Sequence, residues 1–136
     1  MPGRQVMDIP IGAQASESVV VTRELTVAHF AANMPEVYGT PLMIYLMEFA
    51  SARAVAPFLP PGSVSVGTEV NVRHLAATPV GMTVTATATV TAVNGRLVSF
   101  TVKAHDGAEL IGEGTHVRAV VDKEKFMGRV AAKRGD

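Results

Sequence analysis

The longest run of apolar positions in the chain lies within Val37–Gly62 and contains a single carboxylate. Every side chain in Pro41–Met47 is apolar, and the run continues past Glu48 with two further apolar residues. A helix on a protein surface has a broad polar face, whereas this stretch is apolar almost all round. The pattern therefore predicts a buried central helix that carries Glu48 into the interior.

Both ends of this helix are marked by residues that favour helix boundaries. Thr40 is a preferred N-cap residue, and Pro41 suits the first helical position, where a missing N–H group costs nothing. Pro60, Pro61 and Gly62 follow the apolar run and stop a helix. We therefore expect a helix capped by Thr40 that ends before Pro60.

After Gly62 the apolar positions recur at every second residue, which indicates strands. The apolar parity of the first strand comprises Val64, Val66, Thr68, Val70, Val72 and His74. His74 is thus predicted to point towards the core. In Thr83–Ala92, threonines alternate with valines and alanines, which predicts a strand with one polar, uncharged face and one small, apolar face.

Short turn signals divide the rest of the chain. Asn94-Gly95 predicts a type I′ hairpin, a strand over Val98–Ala104 follows, and Asp106-Gly107 predicts a second hairpin. The last strand, over residues 109–121, contains two glycines that indicate a bulge or a close backbone approach.

The first third of the chain and its tail give weaker patterns. An irregular lead-in over about residues 1–15 precedes a β-branched strand over Ser16–Thr22. Thr26–Met34 fits either a weak helix or a lid-like loop. The charged tail, about residues 122–136, is expected to be peripheral.

The order of one strand, one long helix and four strands predicts an α+β fold. A long central helix wrapped by a curved antiparallel sheet of about five strands is the hot dog fold, and we expect residues 1–136 to form one such domain. Exposed sheet edges are a liability that this fold usually avoids by dimerising, so a homodimer or higher homo-oligomer is expected.

Composition narrows the class of protein. The chain has 136 residues, 48% of them hydrophobic, enough for a packed core. Its 12 basic and 12 acidic residues balance, which argues against a nucleic-acid binder. The N-terminus lacks the apolar region of a signal peptide, and no apolar run reaches the ~20 residues of a membrane span. With no cysteine, the sequence predicts a cytoplasmic protein without thiolate chemistry.

Three polar side chains converge on the predicted apolar layer: Thr40 and Glu48 from the helix, and His74 from the adjacent strand. A carboxylate amid apolar side chains is costly without a partner or a purpose, and His74 is a natural partner for it. Such a pair can share acid/base or nucleophilic work, while the helix N-terminal amides of Gly39 and Thr40 can stabilise an oxyanion. Taken singly, Thr40 is more often only a cap, and His74 only a half-buried structural histidine.

Geometry constrains how these groups can meet. Thr40 and Glu48 are eight residues apart, which is ~12 Å along a regular helix. Both can line an elongated pocket, but direct contact requires Thr40 to lie off the helix or a second subunit to contribute. No His, Asp and Glu cluster has metal-ligand spacing, so neither a metal nor another cofactor is expected.

Three segments closely resemble the fluoroacetyl-CoA thioesterase group of hot dog proteins: VYGTPLMIYLMEFASARAVAPFLPPG, SVGTEVNVRHLAATPVGMTVTATATV and AHDGAELIGEGTHVRAVVDKEKF. The resemblance spans roughly Pro35–Phe126. It implies a catalytic set of Thr40, Glu48 and His74, and it places Gly67 close to the thioester carbonyl. The implied activity is hydrolysis of an acyl-CoA thioester at a dimer interface, with CoA entering as part of the substrate.

Further substrate contacts are assigned to Thr68, next to Gly67, and to Arg118, which shares a face of the last strand with His116. In the family, phenylalanines before the helix form a lid over the small fluorinated acyl group. This chain has Ala31 and Met34 at the matching positions, so a broader or different acyl group is expected.

Two alternatives remain open at this point. One is another hot dog reaction such as enoyl-CoA hydration, and the other is a non-catalytic module that binds acyl-CoA or a small molecule. The acyl group is not defined by the sequence, and Arg53, Arg73 and Arg118 are all available to hold the CoA phosphates.

Overall fold

The computed structural model describes residues 8–135, and the predicted order of one strand, one long helix and four strands is confirmed. The strands are β1 (Gln14–Val20), β2 (Ser63–His74), β3 (Thr83–Asn94), β4 (Leu97–His105) and β5 (Leu110–Asp122). The helices are α1 (Val27–Phe30), α2 (Thr40–Val55) and α3 (Lys123–Arg134), with 3-10 turns at Arg23–Leu25 and Ala56–Phe58. Residues 1–7 of the predicted lead-in lie outside the described range.

The five strands form one antiparallel sheet in the order β1-β3-β4-β5-β2, and α2 packs against one face of it. The helix packs mainly on β3 and β1, and the small apolar residues of β3 are almost completely buried: Val84, Ala86, Ala88 and Val90. Short side chains let the helix approach the sheet closely. The arrangement is the predicted α+β hot dog architecture.

Helix α2 ends before Pro60 as predicted, but the residues that define its two ends are not the expected ones. Its N-cap is Gly39, and Thr40 is already the first helical residue. The predicted capping role of Thr40 is therefore wrong, since its hydroxyl is hydrogen-bonded to His74. At the other end Pro57 has no N–H to donate, so α2 ends at Val55 and passes into a 3-10 turn, earlier than the prolines that were expected to stop it.

A β-bulge at Thr68 interrupts the alternation of β2. Gly67 pairs with Arg118 and Glu69 pairs with Val117, so Thr68 is an extra residue. The parity therefore changes at the bulge, and the residues predicted to share one face along the whole strand do not do so. His74 lies beyond the bulge and faces α2, as predicted.

The first hairpin is confirmed, but its turn type is not the predicted one. Asn94 pairs with Leu97, so the two turn residues are Gly95 and Arg96. A type I′ turn needs a positive φ at both central residues, whereas only Gly95, with a φ of 62°, has one here. Glycine at the first central position is the pattern of a type II′ turn.

The glycines of β5 allow the close approach that the sequence indicated. A Cβ atom on Gly112 would lie 2.5 Å from Sδ of Met43 in α2, and one on Gly114 would overlap the carbonyl oxygen of Asn71 in β2. Both positions therefore require glycine for packing rather than for backbone freedom.

The charged tail forms the helix α3, which the sequence analysis predicted only as a peripheral segment. The Asp122 carboxylate accepts a hydrogen bond from the Lys125 amide at 3.0 Å and caps the helix. Gly135, with a φ of 94°, ends it. Residues 123–134 include no buried side chain, which agrees with a peripheral position.

Candidate active site

Thr40 and His74 meet where α2 begins and β2 ends. Oγ1 of Thr40 is 2.7 Å from Nδ1 of His74. Burial lowers the pKa of His74 from its usual 6.5, so the imidazole is neutral at neutral pH. Its Nε2 atom is buried and has no hydrogen-bond partner among residues 8–135. The pair therefore consists of a hydroxyl and a buried imidazole, of which Nδ1 faces the hydroxyl and Nε2 is unpaired.

A cavity of about 330 Å³ opens beside this pair. Its other walls are Val27, Val37, Tyr38, Leu75, Ala76 and Ala77. Tyr38 presents its ring, because its hydroxyl donates to the Leu42 carbonyl oxygen at 3.1 Å and burial raises its pKa to about 12. The cavity is thus apolar except at Thr40 and His74, which suits an acyl chain whose carbonyl group lies at the polar end.

Glu48 lies further along α2, beside β2 and β5. Its Oε2 atom is 3.6 Å from Nη1 of Arg118 and 3.9 Å from Nε2 of His116. Both distances are longer than a hydrogen bond, and 35% of the side chain is exposed. The cationic and imidazole neighbours of the carboxylate are therefore Arg118 and His116, and not His74 as the sequence analysis expected.

Gly67 provides the space for the Glu48 carboxylate. A Cβ atom at this position would overlap Oε2 of Glu48 and would lie 3.3 Å from Cε1 of His116. Its neighbour Thr68 is exposed and donates its hydroxyl to the Val117 carbonyl oxygen at 3.1 Å. The two residues therefore form the part of the β2 bulge next to Glu48.

Arg118 is buried and held mainly by the backbone and side chain of Ser65. Its Nε donates to Ser65 Oγ at 2.8 Å, and Nη2 donates to the Ser65 carbonyl oxygen at 2.7 Å. The third nitrogen, Nη1, is 3.3 Å from Nε2 of His116. Arg118 is thus a fixed cation beside Glu48 rather than a surface group.

Only some of the amide N–H groups at the start of α2 are available to donate to an oxyanion. The Gly39 N–H donates to the Leu25 carbonyl oxygen at 3.0 Å, so in the protomer it already has a partner, and its role in stabilising an oxyanion stays a prediction. Within residues 8–135 the Thr40 amide makes no backbone hydrogen bond. This amide, close to the Thr40 hydroxyl, remains the candidate donor.

The two residues at the predicted lid positions lie in an exposed segment after α1. Ala31 and Met34 are both exposed, Met34 to 47%, and neither lines the cavity beside Thr40. The segment also contains Phe30, which is 68% exposed. In the protomer the cavity is therefore not closed by a side chain from either lid position.

The three arginines considered for the CoA phosphates all have other partners. Arg53 forms an ion pair with Glu17, and Arg73 lies 3.7 Å from Glu113. Arg118 is buried beside Glu48. None of the three is thus an unpaired surface cation in the described part of the chain.

The predicted site residues form two groups within one protomer: Thr40 with His74, and Glu48 with Arg118 and its neighbours. Ser65, which anchors Arg118, was not among the residues predicted from the sequence. The parity of β2 hides this residue, because the bulge at Thr68 changes the strand face. Had the bulge been recognised, Ser65 would have been placed with Gly67 on the face of Glu48.

Apolar side chains are exposed on α2 and β2, the two elements that carry Thr40, Glu48 and His74. On α2, Tyr45 and Phe49 are 62% and 47% exposed, and their rings are 5.8 Å apart. On β2, which is an edge strand, Val70 is 42% exposed. Exposed apolar side chains of this size often mark a place where a second molecule binds.

Two kinds of structural feature are absent from residues 8–135. In that range, no group of three or more His, Cys, Asp or Glu side chains is placed to hold a metal ion. The same residues include no helix with the length and apolar character needed to cross a membrane.

Comparison with known proteins adds an independent line of evidence. The model of the family described as "Fluoroacetyl-CoA-specific thioesterase" (FlK) matches residues 21–124. A fluoroacetyl-CoA thioesterase of Streptantibioticus cattleyicolor is 46% identical over 129 residues, which cover 90% of this chain and 93% of that protein.

Solved structures give the same result at the level of the fold. A variant of FlK in complex with fluoroacetate and CoA is 47% identical with a TM-score of 0.81, covering 86% of this chain and 98% of that one. A hot-dog-like protein from Thermanaerovibrio acidaminovorans is 28% identical with a TM-score of 0.84, covering 92% of this chain and 93% of that one.

Proposed function

The chain belongs to the fluoroacetyl-CoA-specific thioesterase family, and from this membership we propose that it hydrolyses an acyl-CoA thioester with Thr40, Glu48 and His74 as the catalytic set. It is an acyl-CoA thioesterase, and CoA enters the reaction as part of the substrate. The observation that carries the assignment of the site is the Thr40–His74 hydrogen bond at the polar end of an apolar cavity.

Thr40 and His74 act on the thioester carbonyl group and on the attacking water. The Thr40 hydroxyl and the adjacent amide donate to the carbonyl oxygen as it becomes negative. When His74 Nδ1–H donates to Thr40 Oγ1, Nε2 carries the lone pair that can accept a proton from water. Burial keeps the pKa of His74 below its usual 6.5, so this base is available at neutral pH.

Glu48 either attacks the thioester carbonyl carbon itself or activates the water molecule that attacks it. As a nucleophile, its carboxylate adds to the carbonyl carbon, the C–S bond breaks, and CoA leaves as a thiolate. His74 then takes a proton from the water that hydrolyses the resulting anhydride and restores the carboxylate. As a general base, Glu48 takes the proton from water directly, and the same C–S bond breaks.

Glu48 must reach the substrate that Thr40 and His74 bind, and the separation of ~12 Å along α2 makes this difficult within one chain. A second copy solves the problem if it pairs antiparallel with the edge strand β2. Such pairing brings the Ser63 end of the partner's β2 beside His74, and with it the carboxylate of Glu48 of the partner subunit. It also covers Tyr45, Phe49 and Val70, so a homodimer with a shared site is part of the proposal.

The cavity and the open segment before α2 indicate the type of acyl group that the site accepts. The cavity walls are aliphatic and aromatic, and Ala31 and Met34 leave the entrance open in the protomer. Together these features support an uncharged acyl group that is broader than fluoroacetyl. Gly67 and Thr68 line the approach to Glu48, with Arg118 behind the carboxylate.

The wider assignments of the sequence analysis remain proposals. We propose that residues 1–136 form a single hot dog domain. A cytoplasmic location is consistent with the lack of cysteine, and a metal or organic cofactor has no step in the proposed reaction.

The test is an assay of free thiol release from a panel of short, branched and aromatic acyl-CoAs. Wild-type protein should release CoA from at least one of them, and Glu48→Ala should not. If wild type bound the substrates but released no thiol, a non-catalytic binding module would replace the thioesterase. Formation of a hydroxyacyl-CoA from an enoyl-CoA without thiol release would indicate a hydratase.

A further inference from the structure

His116 is a buried histidine that the proposed reaction leaves without a role. Only 2% of its surface is exposed, and its ring stacks on Phe100 of β4 with a centroid distance of 6.0 Å. A structural position of this kind is usually filled by an apolar side chain, because a buried polar ring requires hydrogen-bond partners. Here both ring nitrogens have polar neighbours, and one of these lies next to Glu48.

The contacts of His116 determine its tautomer. Nδ1 is 2.7 Å from the Glu69 carbonyl oxygen, which can only accept, so Nδ1 carries the proton. In the neutral ring Nε2 then has a lone pair, and this atom is 3.3 Å from Nη1 of Arg118. The lone pair therefore accepts a hydrogen bond from the guanidinium group.

The same nitrogen of Arg118 faces Glu48. Nη1 is 3.6 Å from Oε2 of Glu48, which is too long for a hydrogen bond. The other two guanidinium nitrogens are bonded to Ser65. Nη1 carries two N–H groups, and the one that His116 accepts fixes the position of this nitrogen, just as Ser65 fixes the other two. The guanidinium group is thus held at all three nitrogens, with Nη1 short of a close, charge-assisted hydrogen bond to the carboxylate.

We propose that His116 is a positioning residue, whose neutral ring holds Arg118 beside Glu48 without letting the two close into a tight ion pair. The inference rests on the proposed function, since it concerns the carboxylate that attacks or activates water. Arg118 then supplies positive charge near Glu48, while the carboxylate oxygens stay free to react.

The surroundings of His116 keep its ring neutral. The charged groups that face the ring are Glu48 from α2 and Arg118 from β5, while β4 contributes Phe100 and β2 the backbone of Glu69. Burial is the main cause that lowers the pKa of His116 below 6.5, and the positive charge of Arg118 lowers it further. The hydrogen bond to the Glu69 carbonyl and the charge of Glu48 have the opposite effect and raise the pKa. Protonation in acid would replace the lone pair by an N–H group, which repels Arg118 and attracts the carboxylate.

Two substitutions separate positioning from packing. His116→Phe keeps a ring against Phe100 but has no acceptor, whereas the side-chain oxygen of His116→Gln can accept from Arg118. His105→Gln is the matched control, because His105 is an exposed histidine on β4. We expect His116→Phe to lower kcat about 10- to 100-fold with little change in KM, and His116→Gln to recover most of the loss.

The pH profile gives a readout that packing alone would not change. In His116→Phe, Arg118 loses the acceptor that holds Nη1 and can close on the Glu48 carboxylate, so the acid limb of kcat/KM should move from its wild-type position. In His105→Gln the limb should stay in place. Folded Phe and Gln variants with equal kcat, whether near wild type or equally reduced, would overturn the inference.

A measurement independent of activity completes the test. Ring ¹⁵N NMR of the wild-type protein, assigned with His116→Gln, should show a neutral Nδ1–H tautomer at neutral pH. An Nε2–H tautomer or a charged ring would reject the inference even if thiol release were normal. If the ring showed the expected tautomer but the protein released no thiol from any acyl-CoA of the panel, the proposed function would be wrong instead.

Discussion

Oγ1 of Thr40 lies 2.7 Å from Nδ1 of His74, although the two residues are 34 positions apart in the chain. The contact joins the first turn of α2 to the last residue of β2. Because Gly39 is the N-cap, the Thr40 hydroxyl is not needed to start the helix. Catalysis and helix stability should therefore respond differently to substitution at this position.

Thr40→Ala should lower kcat by about 10²- to 10³-fold, the effect of removing one donor from a developing oxyanion. Its free energy of unfolding should change by less than the ~1 kcal/mol that loss of an N-cap costs. Thr40→Ser keeps the hydroxyl and should retain most activity. Thiol release and urea unfolding measure the two effects, with Thr101→Ala, on an exposed position of β4, as the control. Equal loss of activity in Thr40→Ala and Thr40→Ser would contradict the role of the hydroxyl.

Gly67→Ala should displace the Glu48 carboxylate, because the added Cβ atom would overlap Oε2. A shift of about 1 Å in a reacting group can cost up to about 100-fold in rate, so kcat should fall while the fold persists. Gly128→Ala is the control, since a Cβ atom there meets nothing within 4 Å. It should leave kcat unchanged and stabilise α3 by about 0.5–1 kcal/mol. An active Gly67→Ala enzyme with normal kcat would show that the carboxylate does not need this space.

Stability should decrease as the pH falls below about 6.5 because of His74 and His116. Burial lowers the pKa of both side chains in the folded state from 6.5, whereas the unfolded chain keeps the ordinary value. Between the lowered values and 6.5 the unfolded state binds more protons, so acidification favours unfolding. Above about pH 6.5 the contribution of both groups is fully present.

Urea unfolding between about pH 5 and pH 8 measures this dependence. His116→Gln cannot titrate, so its stability should vary less with pH than that of wild type. The exposed residue His105 provides the comparison, and His105→Gln should keep the wild-type slope. A slope unaffected by His116→Gln would mean that the imidazole is not held neutral by the fold.

Asp106 should be important for stability rather than for chemistry. It is 4% exposed and accepts hydrogen bonds from the Thr78 hydroxyl at 2.8 Å and from the amides of Ala108 and Glu109 at 3.0 Å. Burial alone would raise the pKa of Asp106, but these hydrogen bonds lower it below its usual 3.8. The stabilisation is therefore present above about pH 4 and is lost as the pH falls through the lowered value.

Asp106→Ala should lower the free energy of unfolding by about 1–3 kcal/mol, because the Thr78 hydroxyl and two amides lose their acceptor. Glu109→Ala, at an exposed position in the same loop, should change it by less than about 0.5 kcal/mol. Both variants should keep kcat near the wild-type value. Equal stability of the two variants would show that the buried network contributes little.

Much of the fold could be predicted from local patterns. The threonine–alanine alternation of β3 defines its buried face without information from the rest of the chain, and the apolar run of α2 identifies the central helix. The helix α3 was missed, because its charged residues lack an apolar face and its boundaries depend on caps at Asp122 and Gly135.

The site could be predicted only as a set of residues and not as a set of contacts. Thr40, Glu48 and His74 stand out by residue type and position, but the bulge at Thr68 shifts which β2 side chains face Glu48. A bulge arises from the pairing of two strands, so neither strand shows it alone. The pairing of Glu48 with Arg118 therefore required the structure.

Mixing two inactive variants tests whether the site is shared between subunits. Thr40→Ala disables the group that binds the carbonyl, and Glu48→Ala removes the carboxylate. If each site takes Thr40 from one subunit and Glu48 from the other, a mixed dimer carries both defects in one site and none in its second site. When the variants are mixed at random in equal amounts, half of the dimers are mixed, and one of the two sites in each mixed dimer is intact. Activity should therefore recover to about one quarter of wild type.

A site contained within one chain predicts the opposite outcome, since every site in a mixed dimer then carries one defect. To distinguish the two arrangements, the variants are refolded together and thiol release is measured. Each variant refolded alone is the control. Val70→Asp should abolish the recovery, because a charge on the exposed face of the edge strand β2 opposes its burial against a second copy. Full activity in a Val70→Asp protein that sediments as a monomer would exclude the shared site, because Glu48 would then have to act within its own chain.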